Sequence, residues 1–295
     1  MTTGARSGHG TTTTANSGDS TAGRPDPAVD LARRIRLRAV QMVAPHGFGY
    51  LGQALSGAEQ MAVLHTGFFR RGTDRFVCSP GHYIIAAYAV AREAGELTDE
   101  QLAAYGQDGA ELEAIGTERT PGVALTCGSL AQGLSGAVGF ALADRLRGAE
   151  GERTTYVLVS DGEVEEGQTW EAALFAGHHR LSDVVVLLDA NDSQVDGPVS
   201  SITTIEPLGD KWRAFGWHVE EVDGHDPAQI RAALDRARDD DRPAVVISRT
   251  STVHGLDCLP PDADGHFIKL PAPLAARALA ELDVPDELAE NETHA

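Results

Sequence analysis

The centre of the chain holds two short, continuously apolar runs, Tyr156–Val159 and Val184–Asp189 (VVVLLD), each followed by a polar, glycine-containing loop. Runs of this length without polar alternation read as strands buried on both faces. Between them lie a loop, DGEVEEG (161–167), and a predicted helix over Gln168–His179. The alternation continues downstream with WHVEEVDG (217–224), a helix over Pro227–Arg238 and PAVVISRT (243–250), and it begins upstream with RFVCS (75–79). Strands alternating with helices predict an α/β fold, a parallel sheet flanked by helices on both faces. The first helix is expected to start at Asp26-Pro27, where Leu31, Ile35, Leu37, Val40 and Met42 recur near helical spacing. Ser56 reads as the N-cap of a helix running to Leu64, and Thr98 as the start of one over Leu97–Tyr105. A small-residue helix, LAQGLSGAVGFALADRLRG, follows TPGVALTCGS (120–129), and LAARALAEL forms an acidic helix near the end. Residues 1–26 carry almost no large apolar side chain and are expected to be a disordered tail. A binding domain over 27–280 and a polar acidic end over 281–295 complete the expected organisation.

Charge and composition exclude some partners. Asp plus Glu number 44 against 24 Lys plus Arg, a formal net charge of −20, which disfavours general affinity for nucleic acid or anionic membrane. No uncharged apolar run reaches the ~18 residues that span a bilayer. The polar first residues lack the apolar segment of a secretory signal, so a cytoplasmic protein is expected. Cys78, Cys127 and Cys258 stand in no metal-ligand spacing and read as reduced thiols. The His178-His179 pair has no ligand in zinc spacing and reads as surface, and Trp212 and Trp217 read as packing residues.

Ligands of open parallel sheets sit in the loops after the strand carboxyl ends. The first loop supplies Asp161 and Gly162, whose missing side chain lets backbone approach a ligand. The second supplies Asn191, thirty residues later. One strand–helix–strand unit separates the two, so adjacent strands would place both side chains at one edge. A carboxylate, an amide oxygen and a nearby carbonyl, for which Ser193 is the candidate, are hard oxygen donors suited to Mg²⁺. The helix start after DGEVEEG would add backbone N–H groups for a diphosphate. The bland alternative is an Asp-Gly turn and an Asn turn with no ligand.

The stretch SDGEVEEGQTWEAALFAGHHRLSDVVVLLDANDSQVDG (160–197) resembles the thiamine diphosphate motif of transketolases, which begins Gly-Asp-Gly and ends about thirty residues on with Asn. SPGH (79–82), TPGVALTCGSLAQGLS (120–135) and KWRAFGWHVEEVDGHD (211–226) resemble further transketolase segments in the same order. The resemblance implies thiamine diphosphate and Mg²⁺ as cofactors, with Asp161, Asn191 and the Ser193 carbonyl as metal donors. It places Gly162 against the phosphate, His82 near the diphosphate and substrate, and Gly128 and Leu130 at the thiazolium side. Glu163 is counted with the cofactor-binding residues, although it and Glu165 also serve as a favourable negative helix start. Glu166 matches a glutamate that couples paired active sites, and His266 a histidine on the substrate side.

Full-length transketolases carry a pyrimidine-binding domain after this one, in a chain roughly twice as long. The resemblance therefore implies a separately encoded pyrimidine-binding partner, two of each subunit in a heterotetramer, and no turnover by this chain alone. Two departures bear on substrate. The family has His where Tyr50 stands, and a second family histidine has no counterpart around Glu113 to Gly116. Ser160 replaces the first motif glycine, and His254 stands where the family often has Lys. A two-carbon ketol transferase with a non-standard donor or acceptor is the leading expectation. The alternatives are another thiamine enzyme, acting on a 2-oxo acid or a carrier-protein thiol, and a non-catalytic cofactor-binding or interaction subunit.

Overall fold

The computed structural model describes residues 26–283, apart from Glu118, Asp262 and Asp264. The expected N-terminal tail and the acidic end beyond Asp283 lie outside the described residues. Asp26 caps the first helix by accepting from Ala28 N at 2.9 Å, and Pro27 fills the first helical position, where no N–H is needed. That helix, α1 (Pro27–Val43), leads to β1 (Phe48–Gly49), α2 (Leu51–Ser56), α3 (Ala58–Val63), β2 (Arg75–Pro80), α4 (Ile84–Glu93) and α5 (Asp99–Ala103). There follow β3 (Leu125–Cys127), α6 (Gln132–Leu146), β4 (Thr155–Ser160), α7 (Gly167–His178), β5 (Val184–Ala190), α8 (Val199–Ile202) and α9 (Leu208–Ala214). The chain closes with β6 (His218–Asp223), α10 (Pro227–Asp239), β7 (Ala244–Arg249), β8 (Ile268–Lys269) and α11 (Ala272–Leu282).

Six strands form a parallel sheet in the order β3-β2-β4-β5-β7-β6. Both faces are covered, as continuously apolar strands require. Val185, Leu187, Tyr156 and Leu158 pack on the side of α1, α3, α4 and α10. Val184, Val186, Leu188, Val157 and Val159 pack on the side of α6, α7 and α9, together with the fully buried Trp212 and Trp217. The two tryptophans are thus core residues. All three cysteines are free thiols, and among the described residues no helix is long and apolar enough to cross a membrane.

Two local expectations are corrected. Ser56 is the last residue of α2, not an N-cap, because its buried hydroxyl donates to Asp189 and the chain restarts as a helix only after Gly57. The Leu97–Tyr105 helix shortens to α5, although Thr98 does form the capping box with Gln101. The pairing of β1 with β8 (Phe48 opposite Lys269) joins segments more than two hundred residues apart and has no local signal.

Small residues bring the strand-end loops together. A Cβ on Gly133 of α6 would lie 2.5 Å from the Cα of Ser79, and one on Gly81 would lie 2.5 Å from the Cys127 carbonyl oxygen. The turn after β2 is therefore clamped between α6 and the end of β3. Gly133→Ala is expected to cost about 1–3 kcal/mol, seen as a lower denaturant midpoint at unchanged slope. An unchanged midpoint would mean the clamp is slack.

Candidate functional site

The β4–β5 ladder pairs Ser160 with Asp189, so the two loops that follow leave the sheet side by side. Asp161 is 2% exposed. Its Oδ1 accepts from Gly162 N at 2.9 Å and its Oδ2 from Asp192 N at 2.6 Å. Asp192 has φ +58, a left-handed conformation that costs a non-glycine residue about 1–3 kcal/mol; here it aims the N–H at Asp161. Burial, then the charge of Asp189, pushes the Asp161 carboxyl up to a pKa of about 8. Asn191 accepts from Ser193 N at 2.9 Å through Oδ1 and donates through Nδ2 to Tyr83 OH at 2.9 Å and Asp189 Oδ2 at 3.0 Å. Gln194 and Gly197 bridge to each other and close the second loop. A Cβ on Gly162 would meet Gln194 Cβ at 3.4 Å.

Asp189 is a site residue that sequence reasoning missed. Fully buried at the end of β5, it accepts from Ser56, Tyr83, Thr250 and Asn191. Burial raises its carboxyl. The aspartate that ends an otherwise apolar strand is the available signal; the arrival of Ser56 and Thr250 is not visible locally.

The donor set fits a divalent cation. Two buried acidic groups stand at adjacent strand ends, and their hydrogen-bond partners are backbone N–H, hydroxyl and amide groups, with no lysine or arginine among them. Asn191 Oδ1 has one protein donor, and a carbonyl oxygen accepts two. Asp161 also borders a cavity of about 300 Å³ lined by Asp192, Ser200, Thr203, Thr204 and Arg249, so a small ion reaches it.

The other expected residues fall into two groups. His82, Tyr50 and His266 come together, with ring centroids 5.2 Å apart for Tyr50–His82, 5.7 Å for Tyr50–His266 and 5.0 Å for His82–His266. Phe267 packs edge-on against Tyr50 at 5.2 Å. Gln53 donates to the His266 carbonyl at 2.9 Å. Tyr83, beside His82, reaches Asn191, so this aromatic group is one hydrogen bond from the acidic edge. Gly128 is exposed and Leu130 half-buried in the turn before α6. Glu166 is exposed at the start of α7 and its side chain makes no capping bond. Glu163 is fully buried and turned inward, with Oε1 accepting from Ser79 Oγ and Ala131 N, both at 2.6 Å. Burial raises its carboxyl to a pKa of about 7.

His254 lies apart from these groups. It stacks on His225 with centroids 3.6 Å apart, and its Nε2 is 3.9 Å from Glu59. Glu59, His225 and His254 are grouped closely enough for a metal, but the bonding opposes one. Ser251 N donates to His225 Nε2 at 2.8 Å, so Nδ1 carries the proton toward Glu59, and Arg36 already pairs with Glu59 at 2.6 Å.

A parallel sheet whose adjacent strand ends gather hard oxygen donors beside a glycine loop is an arrangement suited to a diphosphate with its cation. The sequence matches the family described as "Transketolase, thiamine diphosphate binding domain" over residues 28–282. It is 36% identical over 262 residues to the 6-deoxy-6-sulfo-D-fructose transketolase subunit SqwG of a Clostridium species, covering 85% of this chain and 94% of that protein. An apulose-4-phosphate transketolase subunit of Actinobacillus succinogenes is 33% identical over 236 residues, with 76% and 84% covered. The Leishmania mexicana transketolase structure superposes with a TM-score of 0.79 at 30% identity, covering 92% of this chain and 45% of that one. The chain belongs to the transketolase family and carries its thiamine diphosphate binding domain. It spans less than half the length of the solved transketolases.

Burial, then the neighbouring His266, holds the His82 imidazole down at a pKa of about 3, so the ring is neutral near pH 7. The unfolded chain takes up a proton near pH 6.5 that the folded chain refuses until about pH 3. His82 therefore subtracts stability as pH falls through that window and none above it. Its ring NMR signals are expected to stay flat from about pH 8 to about pH 5; a midpoint inside that range contradicts a buried neutral imidazole.

Proposed function

We propose that the chain is the diphosphate-binding subunit of a split transketolase, which moves a two-carbon ketol unit between sugar-like substrates together with a pyrimidine-binding partner subunit. The observation that carries this reading is the uncompensated acidic edge at Asp161, Asn191 and Asp189, formed by adjacent strand ends. Support for a partner comes from two relatives, matched over 94% and 84% of their own length, that are each named as a transketolase subunit. A heterotetramer of two subunits of each kind, with the exposed Glu166 coupling the paired sites, is part of the same reading.

In this assignment Asp161, Asn191 and the Ser193 carbonyl hold Mg²⁺, and Gly162 lets backbone approach the diphosphate. Gly128 and Leu130 border the thiazolium side. Thiamine diphosphate, when bound, supplies the carbanion chemistry that breaks and forms the ketol carbon–carbon bond. The protein's own work is positioning and proton handling. His82, neutral and half-buried, is able to donate or accept a hydrogen bond without a net charge beside the substrate. His266 lies directly beside it, and both rings pack against Tyr50. Tyr50 stands where the family has a histidine, so this position offers a phenol and an aromatic face in place of an imidazole. That exchange, with the sulfosugar and apulose-phosphate named for two relatives, supports a non-standard sugar substrate.

Asp161→Ala, in the complex with the partner, is expected to weaken Mg²⁺-dependent thiamine diphosphate binding by more than the ~10- to 100-fold typical of losing an outer-shell residue. Calorimetric titration checks this, and unchanged binding rejects the site. Tyr50→His is expected to raise kcat/KM for a common ketose phosphate, restoring a proton-handling group; no change across a panel of donors counts against Tyr50 as a substrate-pocket residue.

A further inference from the structure

We propose that Glu163 is a positioning residue that locks three strand-end loops into the geometry of the cofactor site, without itself touching the cofactor. The inference rests on the site assigned above and goes beyond it by giving a buried side chain outside the metal donors a defined task. Its carboxylate is the meeting point of three segments distant in sequence. Ser79, at the head of the turn that presents His82, donates its hydroxyl to Oε1 at 2.6 Å. Ala131, which ends the Gly128–Leu130 turn, donates its backbone N–H to the same oxygen at 2.6 Å. Ser160, next to Asp161, donates its N–H to Oε2 at 3.4 Å. Thr169 of α7 fixes the Glu163 main chain by donating to its carbonyl at 2.6 Å.

The backbone is bent to make this contact. Ala131 has φ +67, a left-handed conformation that is costly for any residue with a Cβ. Its N–H points at Glu163, as that of Asp192, at φ +58, points at Asp161. Two strained non-glycine residues thus aim N–H groups at two carboxylates two positions apart in the chain. An apolar residue in place of Glu163 would leave the Ala131 N–H and the Ser79 hydroxyl without this acceptor. The loops would then be held only by packing at Gly133 and Gly81. Ring orientation at His82 and loop position at Asp161 are in this way set by one carboxylate, which couples the substrate side of the site to the metal side.

The test uses the chain co-purified with its partner and titrates thiamine diphosphate at fixed Mg²⁺ by calorimetry. Glu163→Ala is expected to weaken binding by about 10- to 100-fold, the range seen when a residue supporting metal ligands is removed. Glu163→Gln, which keeps the Oε1 acceptor, is expected to stay within about threefold of wild type. The melting temperature of the cofactor-free Gln variant should match wild type, so affinity is separated from stability. Binding by Glu163→Ala within twofold of wild type, or a Gln variant as weak as the Ala variant, overturns the proposal. If Glu163→Ala does not fold, Ser79→Ala decides: a loss of about 3- to 10-fold supports the role, and unchanged affinity overturns it. Asp161→Ala runs in parallel. Unchanged binding there rejects the site itself, whereas lost binding there with Glu163→Ala intact rejects only the positioning role.

Discussion

The structure is organised around two buried carboxyl groups, Asp161 and Asp189, that have no lysine or arginine among their hydrogen-bond partners in the described residues. Burying a carboxylate costs several kcal/mol unless donors and a counter-charge surround it. Asp161 and Asp189 receive donors only from backbone N–H, hydroxyl and amide groups. Ser56 at the end of α2, Tyr83 before α4, Thr250 after β7 and Asn191 after β5 all turn toward Asp189. The strained Asp192 backbone turns toward Asp161. Contributions from so many elements mean that the acidic edge exists only once the sheet is assembled. A cation bound here, as proposed, would also stabilise the fold, because it would offset a burial penalty that the converging elements maintain.

Legibility in the sequence follows the range of each interaction. The strands Tyr156–Val159 and Val184–Asp189 are readable because burial on both faces writes itself into consecutive residues. Asp161 and Asn191 are readable as neighbours because one strand–helix–strand unit separates them, and the β4–β5 register pairs their strands in step. Ser56 reads as a cap and is not one. Serine at a helix boundary usually bonds its own backbone, and only the distant Asp189 redirects it. Glu163 looks like one of three acidic residues at a helix start, yet it is the one turned inward, because Ala131 and Ser79 arrive from other loops. The β1–β8 pair spans two residues on each side, too few for periodicity to register.

Glycine and small residues make that long-range convergence possible. Gly133 and Gly81 let α6 and the ends of β2 and β3 approach to distances that any Cβ would forbid. The low amphipathicity of α6, which begins QGLSGAVG, reflects this: its sequence is shaped by close approach to strand-end loops as well as by burial against the sheet.

Charge and aromaticity are divided across the site. The side proposed to hold the metal, from Asp161 to Asn191, is lined by carboxyl groups and held by converging hydrogen bonds. The side proposed to meet substrate is built from Tyr50, His82, His266 and Phe267, with His82 kept neutral by burial. Altering a ring contact with a neutral imidazole such as His82 leaves no buried charge unpaired, unlike the loss of one partner of a buried ion pair. Tyr50, which the resemblance to transketolases sets where the family has a histidine, stands on this side. Under the proposed function, substrate preference can therefore shift through these ring contacts while the hydrogen bonds around Asp161 stay fixed.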